Sequence, residues 1–288
     1  MDVKKIIMLI QTFKIQFFSE LKGIYPETEI QSFFNLLIEF KLNLTRIDLA
    51  LNTDLELKEN DINCFQKALD KLKKQIPIQY IIGETEFYGL TFKVNSNVLI
   101  PRPETEELVG WIINNTSRSK DINILDIGTG SGCIAISLAK KLPNAEVFAI
   151  DVSSEAIKTA KENAAMNKVS VNFIETNILH LDNLPSKFDI IVSNPPYVRD
   201  LEKEMMQQNV LDNEPHLALF VKDDNPLLFY NKIADLAKTH LNKDGNLYFE
   251  INQYLGKDTK ELLRLKGFKN IELKKDIFNV DRMLKSSI

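Results

Sequence analysis

Hydrophobic positions in the first quarter of the chain recur at helical spacing. Apolar residues three and four positions apart run through residues 6–18, 33–42 and 62–72. Polar breaks separate these groups. The pattern predicts a small all-α bundle over residues 1–75, in which the phenylalanines form a core.

A strand-like pattern replaces the helical one beyond residue 75. Aromatic and β-branched residues dominate, with Gly83 and Gly89 between them. We expect a β-hairpin linker over residues 76–102. It should end at Pro101 and Pro103, because proline cannot donate to a strand ladder.

Strands and helices alternate through the rest of the chain, residues 103–288. Predicted strands cover residues 123–127, 146–151, 171–175, 188–193, 246–251 and 271–275. The helices predicted between or after them include residues 133–141, 154–167, 227–241 and 256–266. Such alternation is typical of an α/β fold with a mainly parallel sheet and helices on both faces.

Composition narrows the class of protein. The chain has 288 residues, of which 44% are apolar, and a net charge of −4. These values fit an ordinary globular protein of about two domains and exclude a generally basic nucleic-acid binder. With Cys64 and Cys133 as its two cysteines and no zinc-like spacing, we expect no metal and a cytoplasmic location. No segment approaches the roughly 20 apolar residues of a membrane span.

A glycine-rich segment follows the first strand of the α/β region. Its spacing is G-x-G-x-G, which differs from both the dinucleotide and the P-loop fingerprints. Taken alone, it is equally consistent with a plain strand-to-helix turn. The candidate cofactor-binding residues in it are Asp126, Gly128, Thr129, Gly130, Ser131 and Gly132.

Acidic residues sharpen this hypothesis. Asp151 ends the second strand, where a carboxylate can accept both hydroxyls of a ribose. Asp126 has no pyrophosphate to oppose it and is better placed to face a cation, so S-adenosylmethionine fits the pair. Asn177 is predicted to hydrogen-bond adenine and Ile178 to pack on its ring; the alternative for Asn177 is a turn residue.

A second motif follows the strand at residues 188–193. The prolines in Asn194-Pro195-Pro196-Tyr197 end that strand, which places Asn194 at the carboxyl edge of the sheet, where ligands bind. Asn194 Oδ1 and the Pro195 carbonyl are two fixed acceptors, and Tyr197 is an aromatic wall. Together they suit a planar group that bears an NH₂. Holding that group in line with a methyl donor is catalysis by orientation, which needs no strong base.

Taken together, these motifs resemble the HemK/PrmC family of N5-glutamine methyltransferases. The resemblance spans nearly the whole chain and is carried by the segments 77–83, 87–89, 99–106, 126–132, 194–197 and 213–219. It implies a class I S-adenosylmethionine-dependent methyltransferase, with a Rossmann-like, mainly parallel seven-stranded sheet, an all-α amino-terminal bundle and a β-hairpin linker.

The resemblance also implies roles. The methyl acceptor would be the glutamine of the Gly-Gly-Gln tripeptide of peptide chain release factors, whose methylation modulates translation termination. Asn194, Pro195 and Tyr197 would be catalytic, and these residues with Pro196 would bind the glutamine amide. Asn194 would also contact the cofactor. Glu214 lies in a loop that is expected to cap the glutamine pocket; the alternative is a surface loop with no contact. We expect a monomer that binds no membrane and no nucleic acid stably.

Two other functions compete with this one. A nucleic-acid amino methyltransferase acting on adenine N6 or guanine N2 would stack a flipped base on Tyr197, but it predicts a basic face. A non-catalytic cofactor-binding adaptor would not need an intact Asn194–Tyr197 motif. Transfer of a labelled methyl group separates all three.

Overall fold

The chain folds into two units that meet in the sequence at Gly83 and Glu84. A computed structural model describes residues 7–117, 119 and 121–288. Residues 1–6, which belong to the first predicted helical segment, lie outside the described residues.

The first unit is helical and has an aromatic core. Its elements are β1 (Met8–Leu9), α1 (Ile10–Leu21), α2 (Glu27–Leu42), α3 (Arg46–Leu51), β2 (Glu56–Leu57), α4 (Glu59–Leu72) and α5 (Ile78–Ile82). β1 and β2 pair antiparallel. Phe13, Phe17, Phe34 and Phe65 are buried, and the rings of Phe13 and Phe65 stack at a centroid distance of 5.4 Å. The phenylalanines therefore fill the core of the bundle.

Helix α5 occupies a segment that the aromatic and β-branched pattern assigns to the hairpin. Pro77 precedes the helix, and Gly83 ends it in the left-handed conformation at φ +88°. The Gly83 N–H donates to the Gln79 carbonyl at 2.7 Å. Proline at the start and glycine after the end are helix signals, and here they outweigh the strand propensity of the residues between them.

The second unit contains all the remaining elements. Its strands are β3 (Glu84–Phe87), β4 (Leu90–Lys93), β5 (Ile122–Ile127), β6 (Ala145–Asp151), β7 (Asn172–Glu175), β8 (Phe188–Ser193), β9 (Val198–Arg199), β10 (Phe220–Val221), β11 (Leu241–Glu250), β12 (Lys269–Lys275) and β13 (Asp281–Ser287). Its helices are α6 (Pro103–Asn114), α7 (Cys133–Lys141), α8 (Ser154–Asn167), α9 (Gln208–Asn213), α10 (His216–Leu219), α11 (Leu228–His240) and α12 (Gly256–Leu265). No described helix has the length and apolar character needed to cross a bilayer.

Strands β3 and β4 form the predicted hairpin. They pair antiparallel from Glu84 opposite Lys93 to Phe87 opposite Leu90. The two turn residues, Tyr88 and Gly89, have φ values of +52° and +73°. Two consecutive positive φ values are typical of a type I′ turn, whose twist matches that of the flanking strands.

A seven-stranded sheet in the order β12-β13-β11-β8-β5-β6-β7 forms the centre of the second unit. The strands from β11 to β7 pair in parallel, and β13 is antiparallel to both of its neighbours. The expected mainly parallel seven-stranded sheet is thus confirmed. The hydrophobic pattern alone misses β13, because only Met283 and Leu284 give it an apolar signal.

Alternate residues of the central strands face opposite layers of helices. Ile124 of β5 packs in one core with α6 and α7, whereas Leu125, the next residue, packs in the other with α11. Ile190 and Ile191 of β8 divide in the same way. Burial on both faces explains why these strands are continuous apolar runs in the sequence.

The sheet gathers the polar ends of four strands at one edge. Ile127 is opposite both Ile150 and Ser193, and Ser193 is opposite Phe249. Because these strands are parallel, the residues at their carboxyl ends lie side by side. Acidic and amide side chains from distant parts of the sequence therefore meet at this edge.

Candidate active site

The glycine-rich turn after β5 is folded against the end of β6. The N–H groups of Gly128 and Thr129 both donate to the Ile150 carbonyl, at 2.8 and 3.0 Å. Gly130 has φ +54°, and no heavy atom lies within 4 Å of the position that a Cβ would take. At Gly132 a Cβ would come within 2.7 Å of Ile136 Cδ1. Gly132 thus permits close helix packing, whereas Gly130 leaves open space for a ligand.

Asp126 is fully buried beneath this turn. Its Oδ2 accepts hydrogen bonds from Thr129 Oγ1 at 2.6 Å and from the Ala135 N–H at 3.3 Å. Its buried Oδ1 has no hydrogen-bond partner among the described residues. Burial raises the pKa of Asp126 to about 7, against the lowering effect of these two donors. A buried carboxylate oxygen without a partner can accept a donor group from a ligand.

Asp151, at the end of β6, is held by the backbone on both carboxylate oxygens. Gly130 N–H donates to Oδ2 at 2.8 Å, and Ser153 N–H donates to Oδ1 at 2.9 Å. Burial raises the pKa of Asp151. Each oxygen keeps a further lone pair, so the fixed carboxylate can still accept ribose hydroxyls.

The remaining predicted residues of the turn are placed less directly. Ser131 is buried, and its carbonyl accepts from Asn163 Nδ2 at 2.8 Å. Asn177 Oδ1 accepts from Leu179 N–H at 3.0 Å, so Asn177 does act as a turn cap. Ile178 packs into the core below it. An adenine contact by Asn177 and Ile178 stays a prediction.

The Asn194–Tyr197 turn lies beside the glycine turn. Ser193 Oγ donates to the Ile127 carbonyl at 2.7 Å, which joins the ends of β8 and β5. A Cβ built on Gly128 would lie 3.9 Å from the Asn194 carbonyl oxygen. The two motifs that the sequence places about 60 residues apart are thus neighbours, as their positions after adjacent parallel strands predict.

A small pocket opens at this second turn. Its volume is about 50 Å³, far below the roughly 300 Å³ of a typical small-molecule site. Its lining includes Leu99, Arg102, Asn194, Pro195, Tyr197 and Glu250. A pocket of this size suits one functional group at the end of a larger substrate. Pro196 is not part of the lining.

Glu250 and Thr105, which the sequence analysis does not identify, form hydrogen bonds behind the pocket wall. Glu250, at the end of β11, is 1% exposed and accepts from Tyr197 Oη at 3.0 Å and from Thr105 Oγ1 at 2.6 Å. Burial raises the pKa of Glu250 and of Tyr197. One signal was available in the sequence: Glu250 ends an apolar strand, as Asp126 does.

Glu214 reaches the pocket through Arg102. The Glu214 side chain is 1% exposed, and its Oε1 lies 2.5 Å from Arg102 Nη2. Its Oε2 accepts from the Ile100 N–H at 3.3 Å. Glu214 therefore fixes the segment that carries Leu99 and Arg102, instead of lining the pocket itself. Direct contact of Glu214 with a substrate stays a prediction.

Arg102→Ala should destabilise the protein. The substitution leaves the buried Glu214 side chain without its cationic partner. We expect the free energy of unfolding to fall by about 2 kcal/mol, less than for a fully buried ion pair because Arg102 is partly exposed. Chemical denaturation measures this change. Arg264→Ala, which removes an exposed pair with Glu261, is the matched control and should leave stability unchanged. Equal effects of the two substitutions would contradict a structural role for the Arg102–Glu214 pair.

The fold and this edge of the sheet define a class I methyltransferase. Residues 108–219 match the methyltransferase small domain, and residues 15–83 match the PrmC N-terminal domain. The chain belongs to the release factor glutamine methyltransferase family, as its motifs indicate. The Flavobacterium psychrophilum release factor glutamine methyltransferase is 58% identical over 96% of this chain and 99% of its own length. The Bacteroides thetaiotaomicron protein of the same name is 43% identical over 92% of this chain and 95% of its own length.

Solved structures support the fold. A methyltransferase from Pyrococcus furiosus has a TM-score of 0.52 and 20% identity, covering 76% of this chain and all of its own. The T. thermophilus 16S rRNA N2 G1207 methyltransferase, in complex with AdoMet and guanosine, has a TM-score of 0.53 and 17% identity, covering 71% of this chain and 49% of its own. At such identities the likeness concerns the fold alone.

Proposed function

We propose that this enzyme transfers a methyl group from S-adenosylmethionine to the side-chain amide nitrogen, N5, of the glutamine in the Gly-Gly-Gln tripeptide of peptide chain release factors, and so modulates translation termination. The observation that carries the proposal is the pocket at Asn194, Pro195 and Tyr197, which adjoins the glycine turn and has the size of one functional group. Family membership supports the same reaction. Action as a cytoplasmic monomer without stable nucleic-acid binding belongs to the proposal, and the net charge of −4 supports its last part.

The residues of the glycine turn fit the methyl donor. Asp126 Oδ1 is buried without a partner among the described residues, and the space above Gly130 is open. Asp151 would bind the ribose hydroxyls, and Asp126 would face the amino group. When bound, S-adenosylmethionine would supply an electrophilic methyl group: the N–CH₃ bond would form as the S–CH₃ bond breaks, S-adenosylhomocysteine would be the product, and the amide nitrogen would lose one proton to water. Among the described residues, no group of His, Cys, Asp or Glu side chains is arranged to hold a metal ion.

Orientation of the acceptor amide would supply much of the rate. An amide nitrogen is a weak nucleophile because its lone pair is delocalised into the carbonyl. Asn194 Oδ1 and the Pro195 carbonyl would each accept a hydrogen bond from the NH₂ group of the glutamine amide. These bonds would hold its nitrogen toward the glycine turn. Fixed dipoles that hold a reactant in attack geometry raise the rate without a strong base.

A labelling experiment tests this function. The purified protein is incubated with S-adenosylmethionine carrying a labelled methyl group and, separately, with a release factor, tRNA and rRNA, or DNA. We expect label on the release factor, with one methyl group on the tripeptide glutamine by mass spectrometry. A release factor with alanine in place of that glutamine is the control and should stay unlabelled. Label on nucleic acid alone would refute the proposal.

Donor affinity should depend on pH through Asp126. The pKa of this carboxyl is about 7 without a ligand, and a cationic amino group binds the ionised form. The dissociation constant should therefore be about tenfold higher near pH 6 than near pH 8, measured by calorimetry. Asp126→Asn removes the titration of this carboxyl but keeps that of the donor's own amine. The ratio of the donor dissociation constants of wild type and variant therefore reports the contribution of Asp126 alone. A ratio that stays constant with pH would count against the assignment.

A further inference from the structure

A chain of hydrogen bonds, buried at its inner end, runs from the pocket to the end of β11. Asn194 Nδ2 lies 3.4 Å from Thr105 Oγ1, and Thr105 Oγ1 donates to Glu250 Oε2 at 2.6 Å. Thr105 and Glu250 are 2% and 1% exposed. Side chains from α6, from the turn after β8 and from β11 thus form one series.

The series has a direction. A threonine hydroxyl has one proton, and Thr105 Oγ1 donates it in the hydrogen bond to Glu250 Oε2. Because the single proton of the Thr105 hydroxyl lies in the hydrogen bond to Glu250, this hydroxyl can only accept a hydrogen bond from Asn194. The NH₂ group of Asn194, and not its oxygen, must therefore face Thr105, which leaves Oδ1 on the opposite side of the amide.

We propose that Thr105 and Glu250 are positioning residues that fix the side-chain amide of Asn194, so that Oδ1 is presented to the substrate carboxamide. This inference rests on the proposed function. Glu250 has a second partner in the pocket, since its Oε1 accepts from Tyr197 Oη at 3.0 Å. One carboxylate thereby orients both the hydrogen-bonding group and the aromatic wall.

The location of Glu250 supports a functional role. An acidic side chain that is 1% exposed loses hydration, which costs free energy that two neutral donors only partly offset. Buried acidic groups whose pKa is shifted by their surroundings are found preferentially in functional sites. The position of Glu250 in the pocket lining is consistent with this.

The same geometry gives a role to a segment of the family motif. Helix α6 begins at Pro103, and the Thr105 N–H donates to the Arg102 carbonyl at 3.1 Å in the first turn. Proline pre-sets the helical φ at this position. The Pro-Glu-Thr sequence therefore starts the helix at the residue that places the Thr105 hydroxyl between Asn194 and Glu250.

Thr105→Val tests the proposal. The variant keeps the shape of the side chain and removes the hydroxyl that orients Asn194. We expect kcat for release-factor methylation to fall by about 10- to 100-fold, with the donor dissociation constant unchanged within about twofold. Thr105→Ser restores the hydroxyl and should recover most of kcat, which a merely structural role of the methyl group does not predict.

Two further variants complete the comparison. Thr116→Val, two residues beyond the end of the same helix, removes a hydroxyl that donates to the Ile112 carbonyl and should keep wild-type kcat. Glu250→Gln places an NH₂ group against Thr105 or Tyr197 and should lower kcat as Thr105→Val does. Wild-type kcat in Thr105→Val, or equal losses in Thr105→Val and Thr105→Ser, would overturn the inference.

A measurement without turnover separates this inference from the proposed function. In protein labelled with ¹⁵N-asparagine, the Asn194 side-chain NH₂ signal is assigned by its loss in Asn194→Ala. We expect its hydrogen exchange to be slow in the wild type and in Thr105→Ser, and at least about tenfold faster in Thr105→Val. Unchanged exchange in Thr105→Val would refute the positioning role, whereas absence of release-factor labelling by the wild type would refute only the proposed function.

Discussion

Replacing Asn194 with alanine should lower kcat for release-factor methylation by about 10²–10³-fold, the usual effect of removing one fixed dipole from an active site. The substitution removes Oδ1, one of the two acceptors proposed to hold the glutamine amide. The donor dissociation constant should change by less than about threefold, because Gly130 and Asp151, on the neighbouring turns, are unaltered. Radiolabel transfer and calorimetry measure the two quantities.

A control separates this effect from a general loss of structure. Asn172→Ala removes an exposed asparagine on the edge strand β7, whose side chain donates to Glu146 at 3.2 Å. It should keep wild-type kcat and wild-type donor affinity. If Asn194→Ala weakened donor binding as much as methyl transfer, the contact of Asn194 with the cofactor would be its main role and the proposed division of roles would be wrong.

Replacing Asp151 with alanine should weaken donor binding by about 10- to 100-fold. The variant loses the carboxylate that would accept the ribose hydroxyls, and charge-assisted hydrogen bonds contribute about 1.5–3 kcal/mol. It also releases the Gly130 and Ser153 N–H groups, which loosens the glycine turn. At saturating donor, kcat should remain within about threefold of wild type, because the pocket at Asn194 is intact. Calorimetry gives the affinity and initial rates give kcat.

Asp182→Ala is the matched control for this variant. Asp182 is exposed and lies outside both turns, so its removal should leave the donor dissociation constant unchanged. An unchanged constant in Asp151→Ala itself would remove Asp151 from the cofactor site. A fall in kcat at saturating donor as large as the fall in affinity would show that the carboxylate acts on the reaction and not on donor binding.

Much of the fold follows from local sequence patterns. The central strands are apolar runs because both faces of the sheet are covered, and each run ends where an acid, a glycine turn or a pair of prolines begins. Two elements do not follow. Helix α5 has strand-like residues between helix-type ends, and β13 has an apolar signal of only two residues. In both cases tertiary packing, together with the residues that flank the segment, outweighs intrinsic propensity.

Some residues of the candidate site also follow from local sequence patterns, whereas others are brought together only by the tertiary structure. Asp126, the glycine turn, Asp151 and Asn194 are found from sequence because each follows a recognisable strand in a parallel sheet. Thr105 and Glu250 are not, because the bond between them joins positions 145 residues apart. Glu214 is found, but its partner Arg102 and its indirect route to the pocket are not.

The order of most strands and helices, the end of the sheet at which ligands are expected to bind and the residues of the candidate donor site follow from the sequence itself, since each depends on periodicity or on residues next to one another in the chain. The tertiary structure alone decides which way the Asn194 amide faces. That direction depends on the hydrogen bonds from Asn194 to Thr105 and from Thr105 to Glu250. The three residues lie together because of the registers of the sheet and the position at which α6 begins, and no local pattern specifies this.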